Sequence, residues 1–504
     1  TGFIFDSLGS PLSIAGINSA LANNFSGLTN LDMTLDAGSR LFVVENYGTS
    51  DFSAVSSISL GTGIFNNVFD NGGKGMFLWK GVLKLDGIGT VNLDNASDPY
   101  FNVEKSVSGV EVDTGYVVNG TKDNQIGFAD INPYSTVYVK MTNNGIISLT
   151  GKNTIGFYTD NGEINNNSTL NITGQGGLAI FGENDTKIKN TGTITIGDAG
   201  IGIYGISYQT PSSAQTYGNG KIDIENNGTI IAGVGSKAIG VYANNNKTGG
   251  ILGDAQIKLL SGIVDVSASD SGIGVYVNKG TVTDLGSTIT VGKNGVAFYA
   301  KDSHVTLTGT TINLFGDNSL GIYLDGVTNF NGSGDINING KNIVLFNMNS
   351  SGIISNNFNV TGIAPGSTYT IGNIVNGSFN YTGSSILSSN GVLVSGQYSS
   401  VFLNGSTITV NPGSTNVAAI ALDGQAGTFV AGMSANTDGE NNGTITLENV
   451  SVGLYGKNGA RLKNTGGTIT VGDQSAGIMT SGAGSTAVNT GIITVGSGAQ
   501  GITL

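Results

Sequence analysis

The residues able to do acid, base or nucleophilic chemistry in this chain are few and poorly grouped. A single histidine, His304, lies in Lys301-Asp-Ser-His-Val-Thr-Leu307, and alternation along that segment places its ring outside, beside an inward Val305. A serine nucleophile needs such an imidazole within hydrogen-bond reach and a carboxylate behind it. Asp270-Ser271 is the tempting pair, but it stands before Gly272-Ile-Gly-Val-Tyr276 just where Asp198-Ala199 stands before Gly200-Ile-Gly-Ile-Tyr204, so it reads as a repeat turn. A Gly-x-Ser-x-Gly nucleophile elbow does not occur in the sequence. Glycoside cleavage needs two carboxyl groups a few ångströms apart, whereas acidic residues here are scattered singly, and only stacking of corner residues such as Asp198 would pair them. Zinc is disfavoured with no cysteine and one histidine. The expectation is therefore no catalytic residue, no metal and no cofactor.

Binding chemistry is better represented. Tyr158, Tyr204, Tyr242, Tyr276, Tyr299, Tyr323 and Tyr455 each end a block of the form Gly-apolar-small-apolar-aromatic. Alternation puts these rings outside, where a stripe of them would offer stacking surface to sugars or proteins; like residues also pile up in any repeat stack without binding anything. Three further candidates sit where the pattern breaks: Trp79 beside Lys80, and Tyr208 and Tyr217 within the polar stretch 205–218. Loops on a rigid scaffold are the usual place for recognition, although Trp79 would serve equally as a capping core residue.

The elements that must position these residues follow from composition and period. Glycine supplies 82 of 504 residues and proline 6, with Asn, Thr, Ser, Ile and Val prominent, a mixture suited to short strands and tight turns. Hydrophobic residues at 38% recur in regular pairs, which argues against disorder. With 21 basic against 34 acidic residues the net charge is −13, which repels phosphate backbones and anionic headgroups. Nucleic acid is excluded as the expected partner. The absence of cysteine suits a long exported chain that crosses an oxidising compartment unfolded. The apolar runs all fall short of the ~20 residues that a membrane-spanning helix needs. The opening Thr-Gly-Phe-Ile is unlike a signal peptide and Gly501-Ile-Thr-Leu504 stops in mid-motif, so the chain reads as an internal fragment.

Self-similarity fixes the fold class. Asn190-Thr-Gly-Thr-Ile-Thr-Ile-Gly197 aligns with Asn226-Asn-Gly-Thr-Ile-Ile231, Asn441-Asn-Gly-Thr-Ile-Thr-Leu447, Asn464-Thr-Gly-Gly-Thr-Ile-Thr-Val-Gly472 and Asn489-Thr-Gly-Ile-Ile-Thr-Val-Gly496. The aromatics Tyr158, Phe181 and Tyr204 step by 23, Tyr276 to Tyr299 by 23, Tyr299 to Tyr323 by 24 and Tyr323 to Phe346 by 23. That period suits one coil of three short strands, and parallel crossovers wind right-handed. The predicted fold is an all-β, right-handed parallel β-helix with three short strands per coil of about 23–24 residues. Period-2 alternation points Ile194, Ile196, Ile201 and Ile203 inward, while Thr186-Lys-Ile-Lys189 and Ala460-Arg-Leu-Lys463 each supply one inward apolar residue between charges. Glycine and asparagine mark the corners, where φ above zero is often needed.

The organisation read this way is an irregular β region with loops over 1–140, including a short helix near Ile14 to Phe25, then regular coils over 141–504. Loop insertions fall near 205–220, 243–260, 348–405 and 422–441.

Runs such as Gly192-Thr-Ile-Thr-Ile-Gly-Asp-Ala-Gly-Ile-Gly-Ile-Tyr-Gly205 and Gly467-Thr-Ile-Thr-Val-Gly-Asp-Gln-Ser-Ala-Gly-Ile478 resemble the passenger repeats of large autotransporter adhesins, especially fusobacterial ones. The likeness covers roughly residues 140–504. It implies a monomeric segment at the bacterial cell surface, held to the outer membrane only through a C-terminal barrel outside this sequence. It further implies attachment to, or co-aggregation with, host cells or other bacteria through a surface protein or glycan. A glycan-degrading enzyme on the same fold, or a passive stalk, are the alternatives.

Overall fold

A computed structural model describes residues 108–130, 139–207, 220–247, 250–350, 353–387, 391–410, 413–424 and 437–504, and short segments between residues 3 and 103. Trp79, Tyr208, Tyr217 and the helix expected near Ile14 to Phe25 lie outside the described residues. The chain is a parallel β-helix, in which the strands of successive coils pair in parallel, as Thr169–Ile172, Thr193–Ile196 and Thr229–Ala232 do. It divides into two compact units, Thr1–Ser269 and Asp270–Leu504.

In the first unit each coil has three strands. The coil Thr186–Asn190, Thr193–Ile196, Ile201–Ser207 is representative. Its first strand lies between Gly162–Asn166 and Ile222–Asn226 in direct register, with Ile188 beside Ile164 and Ile224. Its second strand carries Ile194 and Ile196 between Leu170 and Ile172 on one side and Ile230 and Ala232 on the other. These side chains are almost wholly buried, and each isoleucine taken out of water contributes about 1.5–3 kcal/mol. A lone coil would leave every one of them exposed, so the fold is held by its neighbours. The same pattern reaches back to Gly81–Leu85, Ile88–Asn92 and Phe101–Val103, which pair with Ser108–Val112, Gly115–Gly120 and Ile126–Asp130.

The third strand departs from simple alternation. Ile203 is fully buried as expected, but Ile201 is only half-buried, and Gly202 takes the inward place between them. A Cβ on Gly202 would come within 2.6 Å of the Gly240 carbonyl oxygen and 2.7 Å of Ile230. Two successive inward residues shift the phase of the strand, so Tyr204 points out.

Residues 208–219 enter between Ser207 and Gly220, whose side-chain hydroxyl and carbonyl respectively are hydrogen-bonded. Ile222–Asn226 then resumes as the first strand of the next coil. After Ile239–Asn245 the connection contains a single 3₁₀ turn, Leu252–Asp254, before Ala255–Leu259.

In the second unit the coils begin regularly with Ile273–Asn278, Thr281–Leu285 and Thr288–Val291. Corners then flatten, and strands merge into His304–Leu314, Asn329–Ile338, Ile353–Ile363 and Gly391–Val410. Short strands return at Arg461–Asn464, Thr468–Val471 and Ala476–Ser481. Phe346, aligned by sequence with the outer tyrosines, pairs instead with Ile322 and is buried, while Asn347 lies beside Tyr323. The coil there is 24 residues long, and the aromatic at position 23 belongs to the interior.

Candidate functional site

The outer edge of the third strands carries the aromatic residues that the sequence singles out. In the first unit Tyr158, Phe181, Tyr204 and Tyr242 follow one another with ring centroids 5.2, 4.9 and 4.8 Å apart. In the second, Tyr276, Tyr299 and Tyr323 are spaced 4.9 and 4.8 Å. All seven rings are half-buried. Tyr455 is not on such a run, because its register partners are Ala421 and Met479.

Rings this close cover part of one another's faces, most fully at Tyr204 and Tyr242, which are inclined by only 23°. A sugar ring seeking a flat aromatic face therefore finds edges and hydroxyls. Tyr158 donates its hydroxyl to Glu183 Oε2 at 3.1 Å. Partial burial raises the phenol pKa of Tyr204, Tyr242, Tyr299 and Tyr323, with a nearby carboxylate adding to it at Tyr204, Tyr299 and Tyr323.

The polar residues considered and set aside as catalytic candidates from the sequence make hydrogen bonds with other neighbours. His304 is exposed and its Nε2 lies 3.0 Å from Asn329 Nδ2. The Asp270 carboxylate accepts from Ser271 Oγ at 2.8 Å and Asn294 Nδ2 at 2.9 Å, and Ser271 has the φ of +59° of a corner residue. Among the described residues no group of three or more His, Cys, Asp or Glu is placed to hold a metal.

Two inter-coil devices went unread in the sequence. The first is a buried asparagine ladder at the end of the first strands. Asn143 Nδ2 donates to Asn166 Oδ1 at 2.8 Å, Asn166 to Asn190 at 2.7 Å, and Asn190 to Asn226 at 2.7 Å. Asn441, Asn464 and Asn489 repeat it at 2.8 Å per rung. Oδ1 also accepts the amide of the glycine two residues on, at 3.1 Å for both Gly145 and Gly443. That explains the Asn-x-Gly motif, since a side chain at Gly228 would strike the Gly192 carbonyl and Asn190 Nδ2. The signal was the return of asparagine, and no other turn former, at one repeat position.

The second device is a carboxylate clamp after the second strand. Asp198 Oδ1 accepts the amide of Ser236 at 2.6 Å, Asp317 that of Lys341 at 2.8 Å, and Asp473 that of Ser497 at 2.6 Å. These bonds, led by the one from the Ser236 amide, hold the Asp198 carboxyl below its ordinary pKa. Each clamp ties the corner of one coil to the equivalent corner of the next.

Comparison with known proteins returns no match to a family model and none to a curated protein.

Proposed function

We propose that the chain is an adhesive segment of a bacterial surface protein of the autotransporter-passenger kind, in which the β-helix holds recognition loops for a host-cell or bacterial surface protein or glycan. The observation that carries this reading is the way residues 208–219 are inserted. Ser207 and Gly220, which flank them in the chain, are hydrogen-bonded to each other, and the strands before and after keep direct register with their neighbours, Tyr204 with Tyr242 and Asn190 with Asn226. A scaffold that tolerates an insertion without losing a rung can vary its loops independently of its core. The net charge of −13 supports protein or glycan partners over nucleic acid. Acidic side chains such as Asp198, Asp317 and Asp473 are engaged in coil-to-coil bonds, which supports binding over hydrolysis.

The test is attachment of the purified, labelled chain to epithelial cells and to a panel of co-aggregating bacteria, with a variant lacking 208–219. Saturable binding by the parent and at least a tenfold loss in the deletion variant, with an unchanged circular dichroism spectrum, is the expected result. No saturable attachment to any surface would overturn the adhesive reading, and release of oligosaccharides from a polysaccharide panel would replace it with the enzymatic one.

A further inference from the structure

The outer tyrosines have a second chemical property besides surface. Tyr204 and Tyr242 are register partners, as are Tyr276 and Tyr299, and Tyr299 and Tyr323. Their centroids lie 4.8, 4.9 and 4.8 Å apart. Each ring is half-buried, so solvent and a small oxidant reach it while the strand prevents it from leaving its neighbour. Tyr158 and Tyr455 have no such partner on this edge: the register neighbours of Tyr158 are Ala129 and Phe181, and those of Tyr455 are Ala421 and Met479. The chain contains no cysteine, so disulfides cannot tie its coils together.

We propose that these contacts are oxidative cross-linking sites, at which one-electron oxidation joins Tyr204 to Tyr242, and Tyr299 to Tyr276 or Tyr323, as dityrosine. Each phenol loses one electron to the oxidant and one proton to water. The two phenoxyl radicals combine through the ring carbons ortho to their hydroxyls, forming one carbon–carbon bond. The hydrogens on those two carbons then move to the oxygens and restore both aromatic rings. Two electrons and two protons leave in total, enough to reduce one hydrogen peroxide to two waters at a haem peroxidase. Neighbouring coils become covalently linked along the outer edge of their third strands.

The experiment exposes the dilute full-length chain to a photosensitised ruthenium complex with persulfate, then denatures, digests and sequences cross-linked peptides by mass spectrometry. An equal mixture of ¹⁴N- and ¹⁵N-labelled chains separates cross-links within one chain from those between chains. The expected result is same-isotope pairs joining Tyr204 to Tyr242 and Tyr299 to its two neighbours. Tyr299→Phe should abolish both of the latter and spare the former, while Tyr242→Phe should do the reverse. Absence of all three junctions in the parent chain, or pairs at these positions that mix isotopes statistically, overturns the proposal.

Discussion

The coils of residues 139–245 and those of residues 304–381 fill their interiors in different ways. The first set has mostly aliphatic columns inside, such as Ile164, Ile188 and Ile224, with Phe157 as a buried ring among them, an asparagine ladder at one corner and the other aromatics of its third strands on the outer edge. The second set draws its aromatics inward: Phe330, Phe346, Phe358, Phe379 and Tyr381 are at most 2% exposed. Outside, asparagines 347 and 373 follow Tyr323 in register. At the position of the ladder stand Leu307, Gly332, Asn356, Tyr381 and Leu403 in successive coils. The space left by Gly332 is filled by the rings of Phe330 and Phe358, which any side chain there would strike.

The contrast shows that a buried amide at this strand position is fully satisfied where the next coil offers another buried amide. Within a run, each Nδ2 finds the Oδ1 of the next coil. Asn356 stands between Gly332 and Tyr381, and its Nδ2 has no partner although its Oδ1 accepts the amide of Phe358 at 3.0 Å. An unpaired buried polar group costs about 1–3 kcal/mol, which favours either a continuous ladder or an apolar filling.

The largest expected effect comes from emptying the aromatic interior. Phe346→Ala removes a ring that meets Phe330, Phe358 and Phe379 at centroid distances of 6.2, 6.3 and 5.6 Å, and should cost about 3–5 kcal/mol in denaturant unfolding of the second unit. Next is Asn190→Leu, which takes away the acceptor of Asn166 and the donor to Asn226 at once. Two orphaned groups at about 1–3 kcal/mol each set its cost at about 3 kcal/mol. Asn356→Leu should cost under about 1.5 kcal/mol, because it removes one bond and relieves one orphan. Equal losses at 190 and 356 would show that the ladder is not cooperative.

Asp284 sharpens the comparison through pH. Its buried carboxylate accepts from Thr310 Oγ1 at 2.5 Å and the Ser287 amide at 3.0 Å, much as a ladder asparagine accepts its glycine. Desolvation raises its pKa above the ordinary 3.8. The folded state thus holds the proton more tightly than the unfolded one, and stability falls as pH rises from 3.8 through the raised value. Asp284→Asn should stabilise the second unit at neutral pH, with the advantage fading as pH drops through that window. A pH-independent difference between the two proteins would mean that the carboxylate is not the titrating group.

Much of this design is visible in the sequence, and the parts that are not share a cause. The period of two dozen residues is legible because buried apolar residues such as Ile188, Ile194, Ile196 and Ile203 follow equivalents in the preceding coil, Ile164, Leu170, Ile172 and Ile180, at steps of 23 or 24. Phe346 keeps step with the outer tyrosines in the sequence and yet is buried, because an aromatic is acceptable on either face and its type carries no phase. Ile201 was misplaced because Gly202, which has no hydrophobic signature, takes the inward place. Asparagine was read only as a turn former because one residue type does two jobs here. Asn294 and Asn318 sit at corners with φ of +54° and +59°, whereas Asn190 ends a strand with its side chain inside. Only the hydrogen-bond partners distinguish them, and those come from coils two dozen residues away.

The smallest predicted effect concerns the exposed corner clamps, which both units share. Asp198 accepts the Ser236 amide, the Ser236 hydroxyl at 3.2 Å and Gln175 Nε2 at 3.0 Å, and these bonds lower its pKa. A lowered folded pKa contributes stability that is complete above the ordinary carboxyl value of 3.8 and is lost as pH falls through the depressed one, the reverse of Asp284. Asp198→Ala should therefore leave global unfolding nearly unchanged, because solvent replaces the lost acceptor at an exposed corner. The Ser236 amide alone should exchange its hydrogen faster in the variant at neutral pH, and the two proteins should converge in acid. An exchange rate unaltered by the substitution would show that the corner is held by the backbone, and that the ladder and the core suffice to keep the coils in register.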